Sequence, residues 1–210
     1  MIELKNITKT YKNKKIFDNF SLSISAGERV VLFAASGSGK TTLLHIIAGL
    51  EGIDSGSVVL DGVTVTEANK IIVAPHLRDI GMVFQDLALW PHLNVAQNIQ
   101  LALKVKKIPK QTREKQTQEI LQKLGLEGFE KKRVHELSGG EQQRVALART
   151  LVLKPKIILM DEPLSSLDKA LNIALREEIL RLQKLYKFTL VYVTHNEEEA
   201  HFLATKIIHL

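Results

Sequence analysis

Three stretches of this 210-residue sequence combine residue types at spacings suited to phosphate chemistry. The first, Ala34-Ala35-Ser36-Gly37-Ser38-Gly39-Lys40-Thr41, lies between an apolar run and a run compatible with a helix. Consecutive backbone N–H groups in such a turn, together with a helix N-terminus, make a nest for phosphate oxygens. Gly37 and Gly39 let the backbone come close, Lys40 brings charge to β- and γ-phosphates, and Thr41 offers a hydroxyl to Mg²⁺. In the usual pattern, G-x-x-x-x-G-K-[ST], a glycine stands where this chain has Ala34. That position ends the strand rather than gripping phosphate, so alanine is tolerable while its φ stays negative. A glycine-rich turn with an incidental lysine is the bland alternative; the strand–loop–helix context favours a nucleotide site.

Further along, Ile157-Ile158-Leu159-Met160 runs into Asp161-Glu162-Pro163. Strands pleat with period two, so neighbouring side chains diverge unless the strand is ending. Beside a phosphate loop, Asp161 can hold Mg²⁺ through water while Glu162 faces the γ-phosphate and polarises a nucleophilic water. Without that loop the pair would read as a surface turn. The third stretch is Leu137-Ser138-Gly139-Gly140-Glu141-Gln142-Gln143-Arg144. Ser138 and Glu141 form the S-x-x-E box that opens a helix. A plain helix start needs no paired glycines, because glycine weakens the first turn. Gly139 and Gly140 leave N–H groups and the positive dipole end open to an anion, which makes a second phosphate-binding surface on one chain.

Elements must bring these stretches together. Alternation in Ile2-Glu3-Leu4-Lys5-Asn6-Ile7 and in Phe20-Ser21-Leu22-Ser23-Ile24 predicts half-buried strands. The unbroken run Val30-Val31-Leu32-Phe33 predicts a strand covered on both faces. Further strands are expected over residues 57–60, 80–84, 157–160, 190–194 and 206–209. Helices are expected over 40–48, closed by Gly49, and over 94–104, 112–124 and 141–153. A last helix, from Leu167 to about Leu185, should pack on the sheet through Leu167, Leu171, Ala174, Leu175, Leu182 and Leu185. Strands on either side of a mainly helical block predict an α/β core with a helical subdomain inserted in it.

Composition is that of a globular domain: hydrophobic residues are 45% and charged residues 25%, which excludes a disordered tail or a fibrous repeat. With no cysteine, disulfides, thiolate metal sites and a cysteine nucleophile are all excluded, and a reducing compartment is expected. No stretch approaches the ~20 apolar residues of a membrane span, and the first residues lack a signal-peptide layout, so the sequence reads as soluble and intracellular. Lys+Arg 29 against Asp+Glu 23 leaves a net charge of +6, which a solvated surface explains more readily than a nucleic-acid or lipid partner.

On these motifs, in this order and over essentially the whole chain, the sequence resembles the ATP-binding subunits of ABC transporters. It is most similar to those of bacterial binding-protein-dependent importers. The resemblance implies a P-loop NTPase (RecA-like) core with an N-terminal antiparallel β subdomain and an inserted α-helical subdomain. One domain over residues 1–210 is expected, with core and β subdomain at about 1–85 and 156–210 and the helical subdomain at about 86–155. It implies that Tyr11 stacks on adenine, and that Ser36, Gly37, Ser38, Gly39, Lys40, Thr41 and Thr42 cradle the phosphates. Gln85 becomes the Q-loop glutamine, sensing Mg²⁺ and the attacking water. Ser138, Gly139, Gly140 and Glu141 become the signature motif, touching the γ-phosphate of ATP held by a partner subunit. Ser165-Ser166-Leu167-Asp168 resembles the D-loop, with Ser166 where alanine is commoner, and His195 resembles the switch histidine. Tyr11 read alone could be a packing aromatic, and Asp168 could simply cap the following helix. Glu141, where glutamine is often found, adds a negative charge near the phosphates.

In that family the stretch after Gln85, Asp86-Leu87-Ala88-Leu89-Trp90-Pro91-His92, lines the groove that receives a membrane subunit. Trp90 is thus either an exposed anchor or subdomain core. Lys104, Lys106, Lys107, Lys110, Lys131, Lys132 and Arg133 make the helical block basic, either as a solvated face or as a face drawn to anionic lipid. The resemblance further implies a homodimer or paired ATPase subunits, transmembrane permease subunits, an extracytoplasmic solute-binding protein, no nucleic acid, and a peripheral place at the cytoplasmic face of the membrane. Many relatives carry a C-terminal regulatory domain, so a chain stopping at Leu210 reads as a minimal version. Two rivals differ in class: a DNA-repair or translation ATPase, which double-stranded DNA would stimulate, and a binding-only regulatory subunit, which would bind ATP without Glu162-dependent turnover.

Overall fold

A computed structural model describes every residue of Met1–Leu210 except Asn13 and Ser36. The chain opens with a hairpin of β1 (Ile2–Tyr11) and β2 (Lys14–Ile24), then β3 (Arg29–Phe33) and α1 (Lys40–Ala48). β4 (Ser55–Leu60), β5 (Val63–Glu67), β6 (Lys70–Ile71) and β7 (Ile80–Val83) follow. The helical block is α2 (Val95–Val105), α3 (Lys110–Lys123) and α4 (Gly139–Leu151). β8 (Ile157–Asp161), α5 (Lys169–Tyr186), β9 (Thr189–Thr194), α6 (Glu197–Leu203) and β10 (Lys206–His209) complete it.

Two sheets result. One is antiparallel in the order β2-β1-β4-β5-β6, and the other is parallel in the order β10-β3-β9-β8-β7. The parallel strands read as unbroken apolar runs because both of their faces are covered. Val30 and Leu32 of β3, Val191 and Val193 of β9, and Ile157 and Leu159 of β8 join a core with α1 and the antiparallel sheet. The alternate residues Val31, Leu190, Tyr192, Ile158 and Met160 join a second core with α2 to α6. No helix among the described residues is long and apolar enough to cross a membrane.

α1 lies over the expected residues, closed by Gly49 in the left-handed region at φ 79°. Three expectations need correction. β1 runs on to Tyr11 and β2 begins at Lys14, because bulges near Asn6 and Asn19 (φ 51° and 52°) break the two-residue period from which the strands were read. β5 and β6 were not foreseen, although Asp61-Gly62, both at positive φ, is a ready hairpin turn. The inward stripe of α5 is Asn172, Leu175, Arg176, Ile179, Leu182 and Gln183, while Ala174 and Leu185 are exposed and Leu167 precedes the helix. Leu175 and Leu182 are buried as expected and Leu167 and Leu171 pack against the same core, but half of the inward stripe is polar, so the apolar pattern captured only part of it.

Strands β3, β9, β8 and β7 are consecutive neighbours in the parallel sheet, so their carboxyl ends share one edge. Just beyond those ends lie the glycine-rich loop, His195, Asp161-Glu162 and Gln85. That edge is where open α/β sheets bind ligands.

Candidate functional site

The loop after β3 has backbone geometry suited to an anion. Gly37 and Gly39 stand at φ 80° and 99°, which only glycine adopts freely, whereas Ala34 is outside the left-handed region. Gly39 caps α1 without any side-chain hydrogen bond, so the first-turn N–H groups have no side-chain acceptor. A Cβ at Gly39 would lie 2.5 Å from Ile16 Cγ2, which shows how tightly the β1–β2 hairpin closes on the loop. Lys40 is buried, and its Nζ donates to the carbonyls of Ala34 (2.7 Å) and Ala35 (2.8 Å). The buried hydroxyl of Ser38 has no partner among the described residues. Ser36, expected in the cradle, lies outside the described residues.

Thr41 Oγ1 donates to Asp161 Oδ1 at 3.1 Å, joining the start of α1 to the end of β8. Asp161 is buried, and that burial pushes its carboxyl above the ordinary range while the Thr41 hydroxyl pulls the other way. The next residue, Glu162, leaves the strand pleat at φ 41°, and the two carboxylates meet different partners, Asp161 at Thr41 and Glu162 at His195. Glu162 Oε2 accepts from His195 Nδ1 at 2.9 Å. Gln85, Glu162 and Ile16 face Gly37, Lys40 and Thr42 across a cleft of about 340 Å³. The structure therefore unites the loop, Gln85, Asp161, Glu162 and His195 at one edge.

Tyr11 ends β1 with its ring 40% exposed rather than packed into the core. Lys9 Nζ sits 4.8 Å from the ring centroid. Burial, then the neighbouring Glu51, raises the pKa of its hydroxyl.

Ser138 and Glu141 form the foreseen capping box, with Glu141 N donating to Ser138 Oγ (3.4 Å) and Ser138 N to Glu141 Oε2 (2.7 Å). That backbone N–H holds the Glu141 carboxyl below its usual range. Ser138 and Gly139 are exposed, but Gly140 is buried, where a Cβ would come within 2.7 Å of Leu171 in α5. The second glycine thus has a packing reason as well as the electrostatic one. Among the described residues, Ser138 to Glu141 contribute nothing to the lining of the loop cleft. Asp168 Oδ1 accepts from Leu171 N at 3.0 Å, so Asp168 does cap α5.

Trp90 is 49% exposed, edge-on to His92, with its backbone N–H donating to Asn98 Oδ1 at 2.8 Å, which removes the subdomain-core reading. Lys104, Lys106, Lys107, Lys110 and Lys131 are exposed, Lys132 lies 3.5 Å over the Phe129 ring, and Arg133 reaches the His92 carbonyl. Sequence reasoning missed Ile16, which no motif marks, and Arg149. The guanidinium of Arg149 donates to the carbonyls of Leu87 (2.6 Å) and Ala88 (2.5 Å) just after Gln85. Both of those residues are left-handed, at φ 59° and 44°. A pair of positive-φ residues without glycine has no signal in the sequence.

A parallel sheet whose neighbouring strand ends carry a phosphate loop, a carboxylate pair, a glutamine and a histidine defines a P-loop NTPase core. The sequence profile described as ABC transporter matches residues 17–165, and the chain belongs to that family. It is 44% identical over 208 residues to the spermidine/putrescine import ATP-binding protein PotA of Clostridioides difficile (strain 630), covering 99% of this chain and 58% of that protein. It is 42% identical over 207 residues to the Fe(3+) ions import ATP-binding protein FbpC of Escherichia coli (strain K12), covering 99% and 58%. The chain thus spans 58% of the length of these curated relatives. Among solved structures it resembles the dimeric post-hydrolysis state of the ATP-binding cassette MJ0796 bound to ADP and Pi. That match has a TM-score of 0.87 and 35% identity over 100% of this chain and 94% of the other.

Proposed function

We propose that this chain is the ATP-binding subunit of an import system, hydrolysing ATP in a head-to-tail dimer to drive solute uptake through membrane permease subunits. The observation that carries this reading is the Thr41–Asp161 contact at 3.1 Å, which sets the phosphate loop against the carboxylate pair with Glu162 beside His195. The buried Lys40 ammonium, whose hydrogen bonds go to loop carbonyls, and the orphaned Ser38 hydroxyl suit triphosphate oxygens. Thr41, Asp161 and Gln85 would hold Mg²⁺, and oxygen ligands completed by phosphate are what that ion prefers. No group of three His, Cys, Asp or Glu side chains among the described residues makes a cage without the nucleotide. Bound there, Mg²⁺ supplies charge that neutralises phosphate oxygens.

The chain's own residues divide the work. Lys40 and the N–H groups of residues 37–42 orient the phosphates, while the exposed face of Tyr11 supports an adenine. Glu162 takes a proton from the attacking water. His195, released from Glu162, reaches toward the γ-phosphate, and Gln85 orients the water. Ser138, Gly139, Gly140 and Glu141 lie away from the cleft, so a second copy would present them, with its Asp168, to the nucleotide. Division into a core with β subdomain (about 1–85 and 156–210) and a helical subdomain (about 86–155) is supported by the packing of α2, α3 and α4 on one another. The exposed Trp90 supports a docking surface for a permease subunit, whose system would include an extracytoplasmic solute-binding protein. Such an assembly puts this chain at the cytoplasmic face of the membrane. The relatives named for spermidine/putrescine and iron import support a small solute or ion as cargo.

Glu162→Gln spares binding and removes the base, so it should trap an ATP-loaded dimer visible by sedimentation velocity. A variant that stays monomeric in excess ATP would rule the mechanism out.

A further inference from the structure

We propose that Glu199 is the positioning residue of the hydrolytic pair, a buried carboxylate that locks the end of β9 carrying His195 to the turn carrying Glu162. The inference rests on the roles of Glu162 and His195 given above.

His195 cannot be fixed by its own surroundings. Its side chain is 54% exposed, and its hydrogen bond among the described residues is the one to Glu162. The residues on either side of it are held instead. Glu199 is 3% exposed, and its Oε2 accepts from Tyr192 Oη and from Thr194 Oγ1, both at 2.8 Å. Thr194 Oγ1 in turn accepts from Asn196 N at 3.0 Å, and Asn196 Oδ1 accepts from Glu199 N at 3.2 Å. Thr194 and Asn196 thus bracket His195 in a closed ring of bonds that returns to Glu199.

The other carboxylate oxygen faces the opposite segment. Glu199 Oε1 accepts from Asn172 Nδ2 at 2.8 Å, and the same amide donates to the Leu164 carbonyl at 3.2 Å. Leu164 belongs to the turn after Glu162, which is tightened by Ser165 Oγ donating to the Glu162 carbonyl at 3.0 Å. Glu199, with Asn172 as the bridge, therefore links both segments whose tips meet at Glu162 and His195.

The charge, and not only the shape, is informative. Burying a carboxylate without a hydrogen-bonded cation is costly unless donors surround it. Arg176, one turn beyond Asn172, pairs with Glu198 at 4.0 Å and not with Glu199. Tyr192, Thr194 and Asn172 all donate to its two oxygens, so the carboxylate serves as the shared acceptor. That leaves the Thr194 oxygen lone pair facing Asn196 N, which sets the backbone on both sides of His195. A glutamine would fill the same space but turn an NH₂ group toward these donors and lose that direction.

The test compares the wild-type chain with Glu199→Gln and Thr194→Val, both close in shape to the originals. Turnover should fall about tenfold in kcat, the scale of one lost hydrogen bond of this kind, while ATP affinity stays near wild type and the variants remain folded with a thermal midpoint lowered by a few degrees. The imidazole ¹⁵N signals of His195, assigned by their loss in His195→Gln, should shift in both variants without nucleotide, as they should in Glu162→Gln. Unchanged His195 signals, unchanged kcat, or an affinity loss parallel to the kcat loss would each overturn the proposal. Should the wild-type chain hydrolyse no ATP, the functional reading fails, and the His195 signals still decide the positioning role.

Discussion

Lys40 brings its amino group into a buried place where its hydrogen bonds go to two backbone carbonyls. Such an ammonium is poorly satisfied until an anion arrives, and a charge-assisted hydrogen bond to phosphate is worth about 1.5–3 kcal/mol. Lys40→Ala should therefore weaken ATP binding roughly 10- to 150-fold in a titration with a fluorescent analogue. An unaltered affinity would take Lys40 out of the site. The residues that could be read from sequence are those whose chemistry is local, with loop, carboxylate pair and capping box each inside eight positions. Ile16 and Arg149 act on residues remote in sequence, Glu199 reaches the Glu162 turn only through the remote Asn172, and nothing beside them in the chain announces it. Gly140 shows a subtler limit, because its local reason was visible while the Leu171 side chain crowding it was not.

At the scale of elements, α5 begins on a residue with two candidate roles. Asp168→Ala removes the cap and should cost about 0.5–2 kcal/mol of stability, read in denaturant melts. Asp168→Asn keeps a capping oxygen but drops the charge, so it should hold that stability while turnover falls if the carboxylate also faces a partner's nucleotide. Equal turnover in Asp168→Asn and wild type would leave capping as its whole role. Element types were largely legible because α1, β3, β8 and β9 have a clean period or an unbroken apolar run. The errors have physical sources: bulges interrupt β1, a short β5 offers few residues to count, and polar Asn172, Arg176 and Gln183 occupy the inner stripe of α5. α6 was missed although Asn196 caps it and Glu197, Glu198 and Glu199 fill its first turn; at seven residues it has little periodicity to reveal.

For the whole molecule, the parallel sheet decides where chemistry happens by aligning four strand ends on one edge, with a covered core on each face. Its layered architecture was legible from strands flanking a helical block. The relation between the loop cleft and the Ser138–Glu141 surface was not, since motif order says nothing of which side of a fold a helix start faces. Among the described residues Ser138 to Glu141 do not line the loop cleft, and on the proposed reading a second copy completes the site. The most direct test is ATP turnover per molecule measured across a wide dilution series. Activity per molecule that rises with concentration and levels off as dimers form is the predicted result; a constant value down to the lowest concentration, with no self-association detected, would contradict it.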